Sequence, residues 1–467
     1  MSRCSALARR TGIAGVVAVL TLAVTAGGVA ASNVAIGLSG QSDGTPIPIW
    51  LSLVTGGGVI ATSMLLTMLV TDRTVVERFH TNAVGFSNDR LETVGSLVFG
   101  TIGIATLVFV VVVGLVGPQI GSFSATVLLT FVGGRALLTI IAYTVGNPWR
   151  ALNPWRHIAA FVPNGYATYP PWLGSWPAVG TLLVLIWLEV VTPLTSSPRT
   201  LVAVILAYSV FTIGGAIVFT PQTWFQKGDP ISVWFRLYGA VAPIQRTEAG
   251  LEVRYPGARL GDDDLITDGS VLAFVLVLIW ELTYSGFIVT GPGVRTVETL
   301  VGIGFPPQLV YLGLLLGGFA LFWKGYWLAA ARTRNRTETH LSRGSLAIRF
   351  GSPLLAIAAG YHFAHYAGFS LSLWPSLVDT MVSPLNPPEN PTQYLLTSWF
   401  SYVELTGILV GHLLAVWLTH VVSFELFSGK RQAVRSQYPF IIVMVVLAVV
   451  NLYLVAVPPM DPVYVPN

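Results

Sequence analysis

Apolar runs of about 20 residues recur along this chain, and a helix of about that length crosses the hydrocarbon core of a bilayer. Charged residues make up only 10% of the sequence, against about 25% in a typical soluble domain. The runs predict about ten spans, and the fold class is therefore an all-α, polytopic transmembrane helical bundle. The spans fall at residues 49–70, 94–116, 123–145, 174–195, 200–219, 269–290, 307–330, 348–373, 399–422 and 438–457.

A further apolar segment, residues 12–31, precedes these spans. Arg3, Arg9 and Arg10 come before it, and small residues close it at Ala30 and Ala31. This pattern is typical of a secretory signal peptide and also of a first transmembrane helix. Residues 1–31 are therefore predicted to be one of the two, with cleavage near Ala31 favoured.

The basic residues predict the orientation of the chain. With the first residues placed in the cytoplasm, only Arg135, Arg199 and Arg295 of the 25 Lys and Arg residues fall outside the cytoplasmic loops, the leading tail or the adjoining span ends. This asymmetry follows the positive-inside rule and places the carboxyl terminus outside the cell membrane. The predicted units are a bundle at 49–220, a cytoplasmic loop at 221–268 and a second bundle at 269–457. The basic residues are scattered over short loops, so the predicted partner is the lipid bilayer and not nucleic acid.

Histidines concentrate in two late, apolar spans. His362 and His365 lie near the middle of one span and His412 near the middle of the next, with His420 further toward the cytoplasm and Glu404 toward the outside. Consecutive spans commonly pack side by side, so three imidazoles are expected at one depth. Ionisable side chains at this depth point to function.

Three chemistries fit these residues, and one structural alternative competes with them. His362, His365 and His412, with Glu404 as a further ligand, can bind Cu, Zn or Fe. Two imidazoles on facing helices can ligate haem b. Glutamate and histidines in a row can pass protons or ions, whereas the structural alternative is hydrogen bonding between helices. The single cysteine, Cys4, excludes an intrachain disulfide, and no residue is assigned a catalytic role.

Three more charges lie inside predicted spans: Arg135, Glu189 and Glu281. Each should face the interior of the bundle, because a charge at the centre of a membrane helix costs about 2.5–3.5 kcal/mol on insertion scales. Pairing of Arg135 with Glu189, on adjacent spans, is the simplest neutralisation.

The loops carry several recognisable motifs. The sequence Asn-Pro-Trp-Arg occurs at 147–150 and again at 153–156, where proline ends a helix and tryptophan and arginine suit the membrane interface. The inner loop has an alternating run at 250–257, which predicts a small strand pair, and an acidic triplet at 262–264, interpreted as solvated in preference to a cation site. The proline-rich outer loop 374–398 is long enough to fold back over the helix ends.

Together these motifs resemble a family of prokaryotic polytopic membrane proteins that is sometimes labelled fenitrothion hydrolase. The resemblance rests on segments 43–50 (DGTPIPIW), 147–150 (NPWR), 232–237 (SVWFRL), 242–243 (AP), 361–366 (YHFAHY) and 411–420. It implies a leader peptide followed by a histidine in Ala-His-Gly. Here Ile36 stands at that place, and Val421 follows His420 where the family has an acidic residue.

The sequence therefore leads to three hypotheses for function. The first is a membrane redox or metal-handling protein that uses His362, His365 and His412. The second is a transporter or permease for an ion or small solute, with Glu404 and the histidines lining a path. The third is a non-enzymatic membrane assembly factor.

Overall fold

A computed structural model describes residues 49–67, 83–86, 89–247, 250–397, 399–457 and 459–465. The predicted leader, residues 1–31, and segment 43–48 of the first family motif lie outside the described residues.

Ten long helices correspond to the ten predicted spans. They are α1 (Ile49–Thr67), α2 (Asp89–Val116), α3 (Ala125–Thr144), α6 (Trp176–Val191), α7 (Pro198–Phe219), α10 (Gly269–Ile288), α12 (Pro307–Thr337), α14 (Leu354–Val382), α15 (Phe400–Leu426) and α16 (Lys430–Ala456). Eight of them are long and apolar enough to cross a membrane; α1 and α14 fall short of that criterion. In α14 the reason is the polar character of its histidines, tyrosines and serines. The protein is a multi-pass integral membrane protein with the predicted all-α fold.

Short helices and one small sheet connect the long helices. The helices are α4 (Trp149–Leu152), α5 (Pro154–Ala160), α8 (Pro221–Lys227), α9 (Pro230–Gly239), α11 (Gly291–Gly302) and α13 (Arg343–Arg349), and the strands are β1 (Ala83–Phe86), β2 (Ile244–Thr247) and β3 (Gly250–Arg254). Strands β2 and β3 pair antiparallel, with Ile244 opposite Val253, which confirms the predicted strand pair. Strand β1 joins β3 on its other side, so the sheet has three strands in the order β1-β3-β2.

Several helices begin with a polar residue followed by proline. The Asn153 side chain accepts a hydrogen bond from Arg156 N at the start of α5, and Asp229 accepts one from Ser232 N at the start of α9. Proline suits the first helical position because its nitrogen has no hydrogen to leave unpaired. The Asn-Pro-Trp-Arg motif is thus a helix start, repeated at α4 and α5. Burial raises the pKa of the Asp229 carboxyl.

Helices α14 and α15 pack closely through glycine, as their position in sequence predicted. A Cβ atom at Gly360 would lie 2.5 Å from Gly407 O and 2.9 Å from Gly411 Cα, and one at Gly411 would lie 2.6 Å from Ala356 O. Small residues permit such close helix packing in membranes. The crossing brings the segment that carries His362 and His365 against the one that carries His412.

The predicted inner loop contains a helix that packs inside the bundle. Most residues of α9 are buried, and Trp234 Nε1 donates to Thr139 Oγ1 of α3 at 3.1 Å. Burial, and then the neighbouring Arg259, lowers the pKa of Arg236 to about 10. Segment 221–268 therefore contributes buried side chains to the core of the bundle.

The acidic triplet is engaged in ion pairs with arginines. Asp262 lies 3.0 Å from Arg254 Nη1 and 2.8 Å from Arg259 Nη1, and Asp264 lies 2.5 Å from Arg259. Asp263 pairs with Arg349. All three carboxylates of the triplet are thus paired with arginine side chains of the protein.

The outer loop folds back along α14. Ser372 Oγ donates to Tyr394 O at 2.8 Å, and Ser376 Oγ donates to Thr392 O at 2.7 Å. These bonds hold the loop against the last turns of α14, as its length predicted.

Candidate functional site

A cluster of charged side chains lies inside the bundle where α3, α6 and α10 meet. The guanidinium of Arg135 pairs with the carboxylates of both Glu189 and Glu281 through separate nitrogens. The exposed fraction is 16% for the Arg135 side chain, 9% for Glu189 and 0% for Glu281. The predicted pairing of Arg135 with Glu189 is confirmed, and the inclusion of Glu281 is a finding of the structure.

One oxygen of each carboxylate is left over. Glu189 Oε1 and Glu281 Oε2 are buried and have no hydrogen-bond partner among the described residues. An unsatisfied buried acceptor costs free energy, and an unsatisfied charged one costs more than a neutral one. The cluster thus holds one cation and two carboxyl groups, with two acceptor atoms still available.

The helix that carries Arg135 is irregular at this point. Residues Leu129–Leu138 of α3 form a π-helix. π-Helical turns inside α-helices are rare and occur frequently at functional sites. The sequence carried no signal for this irregularity.

His362 secures the backbone of that segment. Its Nε2 lies 3.2 Å from Arg135 O, and its Nδ1 lies 3.3 Å from the Tyr143 hydroxyl. A carbonyl only accepts, so in the neutral ring Nε2 carries the hydrogen and Nδ1 accepts from Tyr143. Both ring nitrogens are therefore engaged by the protein, and neither offers a free lone pair.

Aromatic rings surround His362. The ring centres of Tyr366, Tyr238 and Tyr143 lie 4.6, 5.5 and 5.7 Å from that of His362, and Trp234 lies at 6.2 Å. Arg135 Cζ lies 5.4 Å from the centre of the Tyr366 ring, so the aromatic side chains adjoin the charged cluster. The Tyr238 hydroxyl is buried without a hydrogen-bond partner within the described part of the chain. Sequence analysis missed Tyr143 and Tyr238, since tyrosine in an apolar segment is not distinctive by itself.

The other predicted site residues lie in different surroundings. His365 stacks edge-on with Tyr366, at 5.0 Å between ring centres. His412 Nδ1 lies 2.9 Å from Ile408 O of its own helix, and His420 Nδ1 lies 3.2 Å from the Gln437 amide nitrogen on α16. Glu404 lies beside Gly368: a Cβ atom at Gly368 would lie 2.7 Å from Glu404 Oε1. His362 and His365 thus share the Tyr366 ring, whereas His412 bonds within its own helix.

The structure does not support the predicted metal site at His362, His365, His412 and Glu404. Among the described residues, no group of three or more His, Cys, Asp or Glu side chains is arranged to hold a metal ion. The physical reason lies in the bonding of the rings: a metal ligand must offer a lone pair, and both nitrogens of His362 are used by Tyr143 and Arg135.

Comparison with family models finds no match, and searches of curated proteins and of solved structures find no significant match either. The resemblance to the family labelled fenitrothion hydrolase therefore stays a prediction from short motifs.

Proposed function

We propose that this integral membrane protein is a transport protein that binds and passes protons at Arg135, Glu189 and Glu281. One observation carries the proposal: two buried carboxyl groups share a single guanidinium inside a membrane-spanning bundle. This is the second of the three hypotheses from sequence, with the site moved from Glu404 and the histidines to the charged cluster.

The charge count favours binding of a cation. With both carboxyl groups ionised, the cluster has a net charge of −1 within the bundle. The two carboxylates repel each other, and a single guanidinium neutralises only one of their charges. Proton uptake at Glu281 or Glu189 makes the cluster neutral, and release restores the negative charge. A change of one unit in the net charge of the cluster, inside the membrane-spanning bundle, suits a step in proton transport.

The enclosure of the site favours a proton over a larger cation. The Glu281 side chain is fully buried, and the two unpartnered oxygens are closed off from solvent. A metal cation needs several oxygen ligands around it at about 2.0–2.6 Å. A proton needs one acceptor and no added volume, and the site has acceptors in Glu189 Oε1 and Glu281 Oε2.

Groups that exchange protons adjoin the cluster. The Tyr143 hydroxyl, the His362 ring and the Arg135 carbonyl form a hydrogen-bonded row, with distances of 3.3 and 3.2 Å. Tyr366 stands between this row and the Arg135 side chain. Chains of hydroxyl and imidazole groups are suited to proton relay in membranes.

Proton flux into liposomes tests the proposal. Purified protein is reconstituted with a trapped pH-sensitive dye, and a potassium diffusion potential drives the flux. We expect Glu281→Gln and Glu189→Gln each to lower the flux at least tenfold, because an amide cannot take up and release the proton. Glu298→Gln is the matched control, since Glu298 is exposed on α11 and should leave the flux unchanged.

Three results would count against this function. Wild-type flux in Glu281→Gln would show that the cluster is structural. Absence of proton flux in the wild type would refute proton transport by this protein. Sodium-dependent flux without a pH change would replace the proton by a metal cation. Membership of the family labelled fenitrothion hydrolase remains a separate proposal, on which the flux experiment does not depend.

A further inference from the structure

Buried polar side chains line the contact between α15 and α16. Ser423 Oγ lies 2.6 Å from Ser436 Oγ, and His420 Nδ1 lies 3.2 Å from Gln437 Nε2. Further along, Thr419 Oγ1 lies 3.8 Å from Met444 Sδ. We call this row of three pairs, Ser423 with Ser436, His420 with Gln437 and Thr419 with Met444, the polar seam. It starts near the basic end of α16, which begins Lys430-Arg431.

The register of the two helices places His412 and Asn451 at the next level of the seam. Helices α15 and α16 are antiparallel, so residue numbers fall on α15 as they rise on α16. A Cβ atom at Gly56 of α1 would lie 2.2 Å from Leu452 and 3.7 Å from Leu409, which confirms that these two leucines are at one depth. Asn451 precedes Leu452, and His412 is about one turn from Leu409.

His412 and Asn451 are fully buried and have unused polar atoms. His412 Nδ1 donates to Ile408 O at 2.9 Å, which leaves a lone pair on Nε2 in the neutral ring. Within the described residues that Nε2 has no hydrogen-bond partner, and neither Nδ2 nor Oδ1 of Asn451 has one. The polar atoms of the three pairs in the seam have partners within the protein, so the missing hydrogen bonds are confined to His412 and Asn451.

Water has the right chemistry for these three atoms. The Nε2 atom and Oδ1 need a donor, and Nδ2 needs an acceptor. A water molecule supplies two donors and two acceptors, and buried waters typically make about three hydrogen bonds to otherwise unsatisfied groups. Leaving the three atoms unpaired would cost about 1–3 kcal/mol for each of them.

We propose that His412 and Asn451 bind water, and that the polar seam together with this water is the route by which protons travel between the basic end of α16 and the charged cluster. The route rests on the proposed function; the water site does not. From Ser436 to Asn451 the helix rises about 22 Å at roughly 1.5 Å per residue, most of the thickness of a bilayer core.

Tyr361 continues the route toward Glu281. A Cβ atom at Gly286 would lie 3.2 Å from the Tyr361 hydroxyl and 3.4 Å from Leu454, about one turn beyond Asn451. The Tyr361 hydroxyl donates to Leu282 O at 3.4 Å, beside Glu281 in the chain. A hydroxyl group therefore stands between the end of the seam and the charged cluster.

Radiolytic hydroxyl-radical labelling of the intact protein in detergent tests the water site. Bound water generates radicals locally, so we expect Leu452, which is buried, to be labelled at least fivefold faster than Leu355, a fully buried leucine on α14. Asn451→Leu should abolish the difference, whereas Asn451→Ser, which keeps a polar group, should retain it. Equal labelling of Leu452 and Leu355 in the wild type would refute the water site.

The liposome flux assay tests the route. We expect Asn451→Leu to lower proton flux at least tenfold and Val446→Leu, a lipid-facing change on the same helix, to leave it unchanged. Full flux in a folded Asn451→Leu protein, with flux lost in Glu281→Gln, would refute the route and leave the proposed function standing. Full flux in both variants would refute both proposals.

Discussion

Removal of Arg135 should destabilise the bundle more than any other loss of a single ion-pairing residue described above. Replacement by Met keeps much of the side-chain length and removes the charge. Two carboxylates, Glu189 and Glu281, are then left inside the bundle without a cation. Breaking a buried ion pair by removing one partner costs about 3–5 kcal/mol, because the remaining charge is desolvated and uncompensated.

The chain offers a matched control in Arg259. It also pairs with two carboxylates, Asp262 at 2.8 Å and Asp264 at 2.5 Å, but these partners reach solvent: their side chains are 31% and 72% exposed. Ion pairs in such surroundings contribute about 0–1 kcal/mol, because water solvates the charges that remain. We therefore expect Arg259→Met to cost at least about 2 kcal/mol less than Arg135→Met.

Unfolding of the purified protein in mixed micelles with increasing dodecyl sulfate measures the difference. At about 1.4 kcal/mol per factor of ten, the Arg135→Met change should shift the unfolding equilibrium by more than a hundredfold. The triple variant Arg135→Met, Glu189→Gln, Glu281→Gln should recover most of the loss, since no unpaired charge remains. Equal midpoints for Arg135→Met and Arg259→Met, or no recovery in the triple variant, would refute the reasoning.

Two further predictions concern aspartates outside the spans. Asp229→Ala should cost about 2–4 kcal/mol in the same unfolding assay and Asp229→Asn clearly less, because alanine removes the α9 cap and leaves the Tyr208 and Thr212 hydroxyls without their acceptor. Hydrogen bonding by Arg259 holds the pKa of Asp264 below its ordinary value, so this pair should stabilise the fold above about pH 4 and lose its effect as pH falls through the folded pKa. The difference in unfolding free energy between wild type and Asp264→Asn, measured from pH 3 to 6, tests this pH dependence. A difference that does not change with pH would contradict it.

Much of the architecture was predictable from sequence because it depends on local composition. Each span is specified by a continuous apolar run, and each run became a long helix. The helix starts at Asn153 and Asp229 follow from a polar cap and a proline within a few residues. The return of the outer loop follows from its length and its attachment to α14.

The candidate site was predictable only in part. The sequence required Arg135, Glu189 and Glu281 to face the interior, and it suggested the first pair because their spans are adjacent. It also predicted His362, His365 and His412 as ligands. In the structure, however, the two ring nitrogens of His362 form hydrogen bonds with the Tyr143 hydroxyl and the Arg135 carbonyl. Which side chains would satisfy an imidazole could not be read from the histidines alone.

The sequence by itself determined the class of protein, the positions of the long apolar helices and the presence of charges that had to be neutralised inside the bundle. Only the tertiary structure decided that Glu281 joins Arg135, from 146 residues away in the chain, and that His412 Nε2 and the Asn451 amide are buried without a hydrogen-bond partner among the described residues. The physical reason is that apolar helices in lipid show little periodicity that marks one face. Their rotation and neighbours are decided by packing of small residues and by polar contacts between distant segments.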